Sequence, residues 1–157
     1  MKNILNDIIR SPQFAENVAW SRRSFKANKI VVKEGEPATS LFFIEKGELR
    51  VTRHVGLGGE KGIQPGVGEL KEGAVFGESC LHSILPRIAT VMAVTDVTLL
   101  EFDGERLGVY FDDNPVKGYL FYKYLFGTMI GRLNSANHTV ETLMAWGLKA
   151  HDIDKYL

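Results

Sequence analysis

A mainly β fold of the α+β class is what this sequence predicts: a sandwich or roll of short strands with helices at both ends. Three observations carry it. The hydrophobic period changes from helical to strand-like near Ser24 and back again after Asp103. The apolar segments between those points are short and closely spaced, and glycines punctuate them. Residues 3 to 20 carry Ile4, Leu5, Ile8, Ile9, Phe14, Val18 and Trp20 at spacings that suit short helices, with Ser11-Pro12 as the break and second start. The β-branched stretch Lys29 to Lys33 reads as a strand, followed by a turn at Gly35-Glu36-Pro37. Leu41 to Ile44 and Leu49 to Thr52 read as two strands joined by a tight hairpin at Lys46-Gly47. Val67 to Leu70, Ala74 to Phe76, Ile88 to Val94 and Val97 to Phe102 complete the series.

Between the third and fourth of these strands, and running into the fourth, lie six glycines, at 56, 58, 59, 62, 66 and 68. They do not make a dinucleotide fingerprint, because Lys61 stands where the third glycine belongs and no helical pattern follows. A mobile hairpin connection is expected there. Beyond Asp103 the helical period returns, and Asp112-Asp113-Asn114-Pro115 has the acceptors and the proline of a helix start. Within that helix Phe126, Ile130, Leu133, Asn137, Val140 and Met144 recur in steps of four and three, the spacing of a coiled-coil seam with one polar member. A parallel homodimer along it is expected, with packing of the stripe on this chain's own strands as the alternative. Gly127 and Gly131 weaken the helix by roughly 1 kcal/mol each relative to alanine.

At 157 residues the chain suits one domain and is too short for a binding domain plus an ordinary catalytic one. Nineteen basic and nineteen acidic side chains give no general attraction to polyanions, so no nucleic-acid partner is expected. The cluster Arg22, Arg23, Lys26, Lys29 and Lys33 reads as a solvated strand face. One cysteine excludes an internal disulfide framework, and no run reaches the ~18 apolar residues of a membrane span, so a cytoplasmic protein without a membrane partner is expected. His54, His82, His138 and His151 are scattered, with no metal-ligand pairing; neither an enzyme nor a cofactor is expected.

The chemistry concentrates in Phe76-Gly77-Glu78-Ser79-Cys80-Leu81 and Pro86-Arg87-Ile88-Ala89-Thr90-Val91. A helical turn starting near Gly77 would aim the amides of Glu78 to Leu81 at an anion. Arg87 would close the seat with a planar, permanently charged guanidinium. Glu78 suits a sugar hydroxyl rather than a phosphate, because its own charge would repel the latter. Together these groups are sufficient to hold a small cyclic phosphate diester.

Those two segments resemble the phosphate-binding cassette of cyclic nucleotide-binding domains. Gly35 to Val51 is similar to the turn-strand-turn signature that precedes the cassette in that family, and the likeness covers about residues 24 to 103 well and the flanking helices loosely. The resemblance implies one domain over 1–157: N-terminal helices over 1–22, an eight-stranded antiparallel β-roll or jelly roll over 23–103 with the cassette at 76–91, and lid or dimerisation helices over 104–157. It implies a nucleotide site of Phe76, Gly77, Glu78, Ser79, Cys80, Arg87, Ile88 and Ala89, with Glu78 on the ribose 2′-hydroxyl. In the family the C-terminal helix folds over the base, and Asn137 is the first choice for that contact. Relatives preferring cGMP often place a hydroxyl residue after the arginine; Ile88 has no donor or acceptor, so cAMP is the expected ligand. Glu141 to Leu157 has no recognition-helix pattern, which points to a sensor acting on an unidentified effector protein, through Trp146, Leu148 and Tyr156, with a terminal helix docked on its own domain as the equal alternative for this tail. A ligand-free dimerisation scaffold of the same fold is the alternative.

Overall fold

The computed structural model describes residues 1–53, 66–82 and 85–150, with the side chains of Gly66 and Val67 excepted. The chain divides into two compact units, Met1–Pro115 and Val116–Leu157. In the first, α1 (Lys2–Ile9) buries Leu5 and Ile8, the i and i+3 positions of one face. Eight strands follow: β1 (Trp20–Phe25), β2 (Ile30–Val32), β3 (Ser40–Lys46), β4 (Leu49–Thr52), β5 (Gly66–Leu70), β6 (Val75–Phe76), β7 (Thr90–Ala93) and β8 (Val97–Asp103). They form two four-stranded antiparallel sheets, ordered β1-β8-β3-β6 and β2-β7-β4-β5. Val32, Phe42, Ile44, Leu49, Phe76, Val91, Ala93, Val97 and Leu99 are buried together in one core cluster drawn from both sheets. This is the eight-stranded roll expected from the resemblance.

Two local expectations are corrected. No second N-terminal helix forms: after α1 the chain turns through Ser11 to Phe14, Asn17 adopts a left-handed φ of 61°, and β1 begins at Trp20, ahead of the expected Ser24. Phe14 instead enters the interior, stacked 6.1 Å from Phe102 and edge-on 5.4 Å from Tyr110. Nor are β3 and β4 a paired hairpin. β3 bonds to β8 and β6, whereas β4 bonds to β7 and β5, so Lys46-Gly47-Glu48 is a corner carrying the chain from one sheet to the other. Gly47 has a φ of 94°, and a Cβ there would stand 2.6 Å from the Asp96 carbonyl oxygen, so only glycine suits this corner. Most of the glycine-rich connection, residues 54–65, lies outside the described residues, and its last part, from Gly66, is β5.

α2 (Gly104–Asp113) follows β8 directly, its first turn capped by the Asp103 carboxylate, which accepts from the Arg106 amide at 2.9 Å. α3 (Pro115–Ala150) starts at the expected proline. In the second unit Gly118, Phe121 and Leu125 of α3 are buried, while Phe126, Ile130, Leu133, Val140 and Met144 are exposed. No helix among the described residues is long and apolar enough to cross a membrane.

Candidate functional site

The cassette begins where β6 ends. Phe76 is buried and stacks on Phe42 of β3 at 4.9 Å, which fixes the exit of the strand. Gly77 then takes a φ of 80° and caps a four-residue 3-10 turn, Glu78–Leu81. The expected helical turn is therefore present but tighter than an α-helix: the Cys80 amide reaches the Gly77 carbonyl at 3.4 Å, and the His82 amide the Ser79 carbonyl at 3.1 Å. Ser79 and Glu78 are half-buried in this turn.

Arg87 comes in from the other side. Its backbone is clamped by the turn between β2 and β3, because its amide donates to the Glu36 carbonyl at 2.7 Å and its carbonyl accepts from the Gly35 amide at 2.8 Å. A third bond, from the Ala38 amide to the Leu85 carbonyl, and the Pro37–Pro86 bridge extend the clamp. The side chain is only 8% exposed. Its Nη2 donates to the Ser40 carbonyl at 2.8 Å, and the guanidinium lies 5.6 Å from the centre of the Phe42 ring. Nη1 is buried with no hydrogen-bond partner among the described residues. A Cβ built on Gly77 would lie 2.6 Å from Nη1, so the cassette glycine and the arginine meet across the site although ten residues separate them in sequence (87 − 77).

Burial depresses the pKa of Arg87, opposed by Cys80 and by the carboxylates of Glu101, Glu36 and Glu78. An arginine has ample range, so the group remains a cation with an unspent donor nitrogen in a partly dry setting. An orphaned donor of this kind costs roughly 1–3 kcal/mol, more when charged. An acceptor brought from outside would satisfy it.

The remaining expected residues fall in three places. Cys80 packs on the start of α2: a Cβ on Gly104 would meet its Sγ at 2.7 Å, and the Gly104 amide donates to the Thr39 carbonyl at 2.9 Å. Ala89 is half-buried just before β7, whereas Ile88 is 75% exposed. Asn137 is exposed on α3, in the second unit. Sequence reasoning gave no role to Ser40 and Phe42, which hold the guanidinium. The unbroken apolar run Leu41–Ile44 marks Phe42 as a core residue, but a backbone carbonyl such as that of Ser40 leaves no trace in residue type.

Two predictions follow from this packing. Gly77→Ala forces a left-handed alanine, at about 1–2 kcal/mol, and drives its methyl into Arg87 and the Ser40 carbonyl. Urea denaturation is expected to show a loss of at least that size, with retained wild-type stability contradicting the close approach. For Cys80, burial is the main cause that pushes its thiol up to about 11. The folded protein is therefore expected to resist iodoacetamide at pH 8, where the thiolate is scarce, and to react readily once unfolded. Because the folded value lies above the unfolded one, the stability this thiol contributes is complete below the unfolded value. It declines as pH rises towards about 11, a slope that Cys80→Ala removes.

Comparison with known proteins agrees with this geometry. Residues 22–114 match the family model described as cyclic nucleotide-binding domain, more than half of the chain. A cGMP-dependent protein kinase of Caenorhabditis elegans is 36% identical over 78 residues, which cover 50% of this chain and 9% of the kinase. A cAMP-dependent protein kinase regulatory subunit of Yarrowia lipolytica is 43% identical over 65 residues, covering 41% of this chain and 16% of the subunit. The chain thus spans a small fraction of the length of these curated relatives. Among solved structures, the catabolite activator protein of Thermus thermophilus superposes with a TM-score of 0.63 at 24% identity, over 85% of this chain and 63% of that one. The matched residues include both sheets and the buried arginine beside its glycine, and with them the chain belongs to the cyclic nucleotide-binding domain family.

Proposed function

We propose that this domain is a cAMP sensor that binds the nucleotide at the cassette and signals through α3 to an effector protein, as a homodimer joined along that helix. The observation that carries the reading is the unpartnered Nη1 of Arg87, buried beside Gly77, which calls for an anionic acceptor where a cyclic phosphate would sit. In this reading Arg87 and the first amides of the Glu78–Leu81 turn hold the phosphate, with Phe76, Gly77, Ser79, Cys80 and Ala89 shaping the seat. Glu78 takes the ribose 2′-hydroxyl. Ile88 is apolar and exposed, offering no hydrogen bond to a guanine, which favours cAMP over cGMP. Asn137 supplies the base contact from α3. A lone, unpaired cysteine suits a cytoplasmic setting.

Thermal denaturation tests the ligand directly. A nucleotide present at ~100 times its dissociation constant stabilises the folded state by about 2.7 kcal/mol. The expected order is a larger shift with cAMP than with cGMP, and Ile88→Thr is expected to narrow the difference. No shift with either nucleotide would leave the domain as a ligand-free dimerisation scaffold.

A further inference from the structure

We infer that the groove between residues 13–19 and α2, on the first unit, is a docking site for a basic segment of a partner protein, one with an apolar anchor flanked by lysine or arginine. This does not depend on the nucleotide reading. The groove has a volume of about 510 Å³, the size of a few side chains. Its floor is Phe14 and Tyr110, both buried and in edge-on contact, and the Trp20 indole N–H locks the Phe14 carbonyl at 3.1 Å. A preformed floor of this kind removes the ordering cost from the receptor side of an encounter.

The walls and rim define the occupant. Val18 and Val109 also line the groove and are 58% and 57% exposed, so two branched apolar side chains stand more than half in water. Asp103, Glu105 and Asp113 line the groove against a single cation, Arg106. The Asp103 carboxylate is engaged in capping α2, while Glu105 and Asp113 form no ion pair among the described residues. The acidity is local, because the chain as a whole carries equal numbers of acidic and basic side chains. A purely apolar partner would desolvate those carboxylates without compensation, and an acidic one would be repelled. A side chain such as leucine between the valines, with lysine or arginine reaching Glu105 and Asp113, satisfies both the floor and the rim.

The probe is an eight-residue peptide of alternating lysine and leucine, titrated into the ¹⁵N-labelled full chain, with the glutamate-leucine counterpart as control. Saturable amide shifts confined to residues 13–19 and 103–113 are expected with the basic peptide and none with the acidic one. Val109→Arg, and separately Glu105→Gln with Asp113→Lys, are expected to weaken binding at least tenfold while leaving the rest of the amide spectrum in place. Equal binding of both peptides, shifts centred elsewhere, no saturable shift, or affinity unchanged in both variants would overturn the assignment. So would a change in sedimentation with Val109→Arg, because the groove would then be a contact between two copies of this chain.

Discussion

Arg87→Ala is expected to weaken cAMP binding by roughly 2–5 kcal/mol, the scale of truncating one partner of a buried charged pair. At 1.4 kcal/mol per factor of ten this is about thirtyfold to several thousandfold. The same substitution is expected to leave the ligand-free protein nearly as stable as wild type, and that contrast is the informative part. In the unliganded site the guanidinium gains one hydrogen bond to the Ser40 carbonyl and a contact with Phe42, but it bears burial and an orphaned Nη1. The gains and the penalty are of similar size, about 1–3 kcal/mol each, so deletion removes both. Calorimetric titration against cAMP and urea denaturation without it give the two numbers. Equal losses in both would mean that Arg87 is a structural residue. Arg87→Lys is expected to recover little of the affinity, since an ammonium cannot keep the Ser40 carbonyl and address a phosphate with a second rigid donor.

How far the site could be read from the residues follows from the same geometry. Gly77 and Arg87 were legible because each acts through a property of its type, a positive φ in one and a delocalised cation in the other. Ser40 was not, because it acts through a carbonyl that any residue has. The corner at Gly47 was misread for a related reason. A Lys-Gly step between two apolar runs looks the same whether the strands pair or part, and the deciding contact is Asp96, far along the chain. Asn17 likewise ended a helical pattern that Phe14, Val18 and Trp20 continue on paper. Phe14 and Trp20 serve tertiary packing instead, buried around the carbonyl bond that joins them.

Replacing Ile130 and Leu133 together by glutamate is expected to abolish the homodimer proposed along α3. Phe126, Ile130, Leu133, Val140 and Met144 are all exposed, with Asn137 among them. At ~100° per residue this stripe is centred roughly 120° around α3 from the face that bears buried Phe121 and Leu125, so the proposed seam is a second apolar face of the helix. An apolar stripe of that length left in water is what a second copy would cover. Glutamates placed across such a seam meet their own copies, and like charges brought together cost several kcal/mol, enough for at least a hundredfold loss of association. Sedimentation equilibrium reads the change; a wild-type monomer at high concentration with and without cAMP would end the dimer claim. Asn137→Leu is expected to act the other way, tightening association while relaxing the register that one polar seam residue imposes. If ligand binding and dimerisation are coupled through α3, linkage requires one coupling factor for both. The ratio of dimer dissociation constants with and without cAMP must then match the corresponding change in cAMP affinity between the dimer and the glutamate variant.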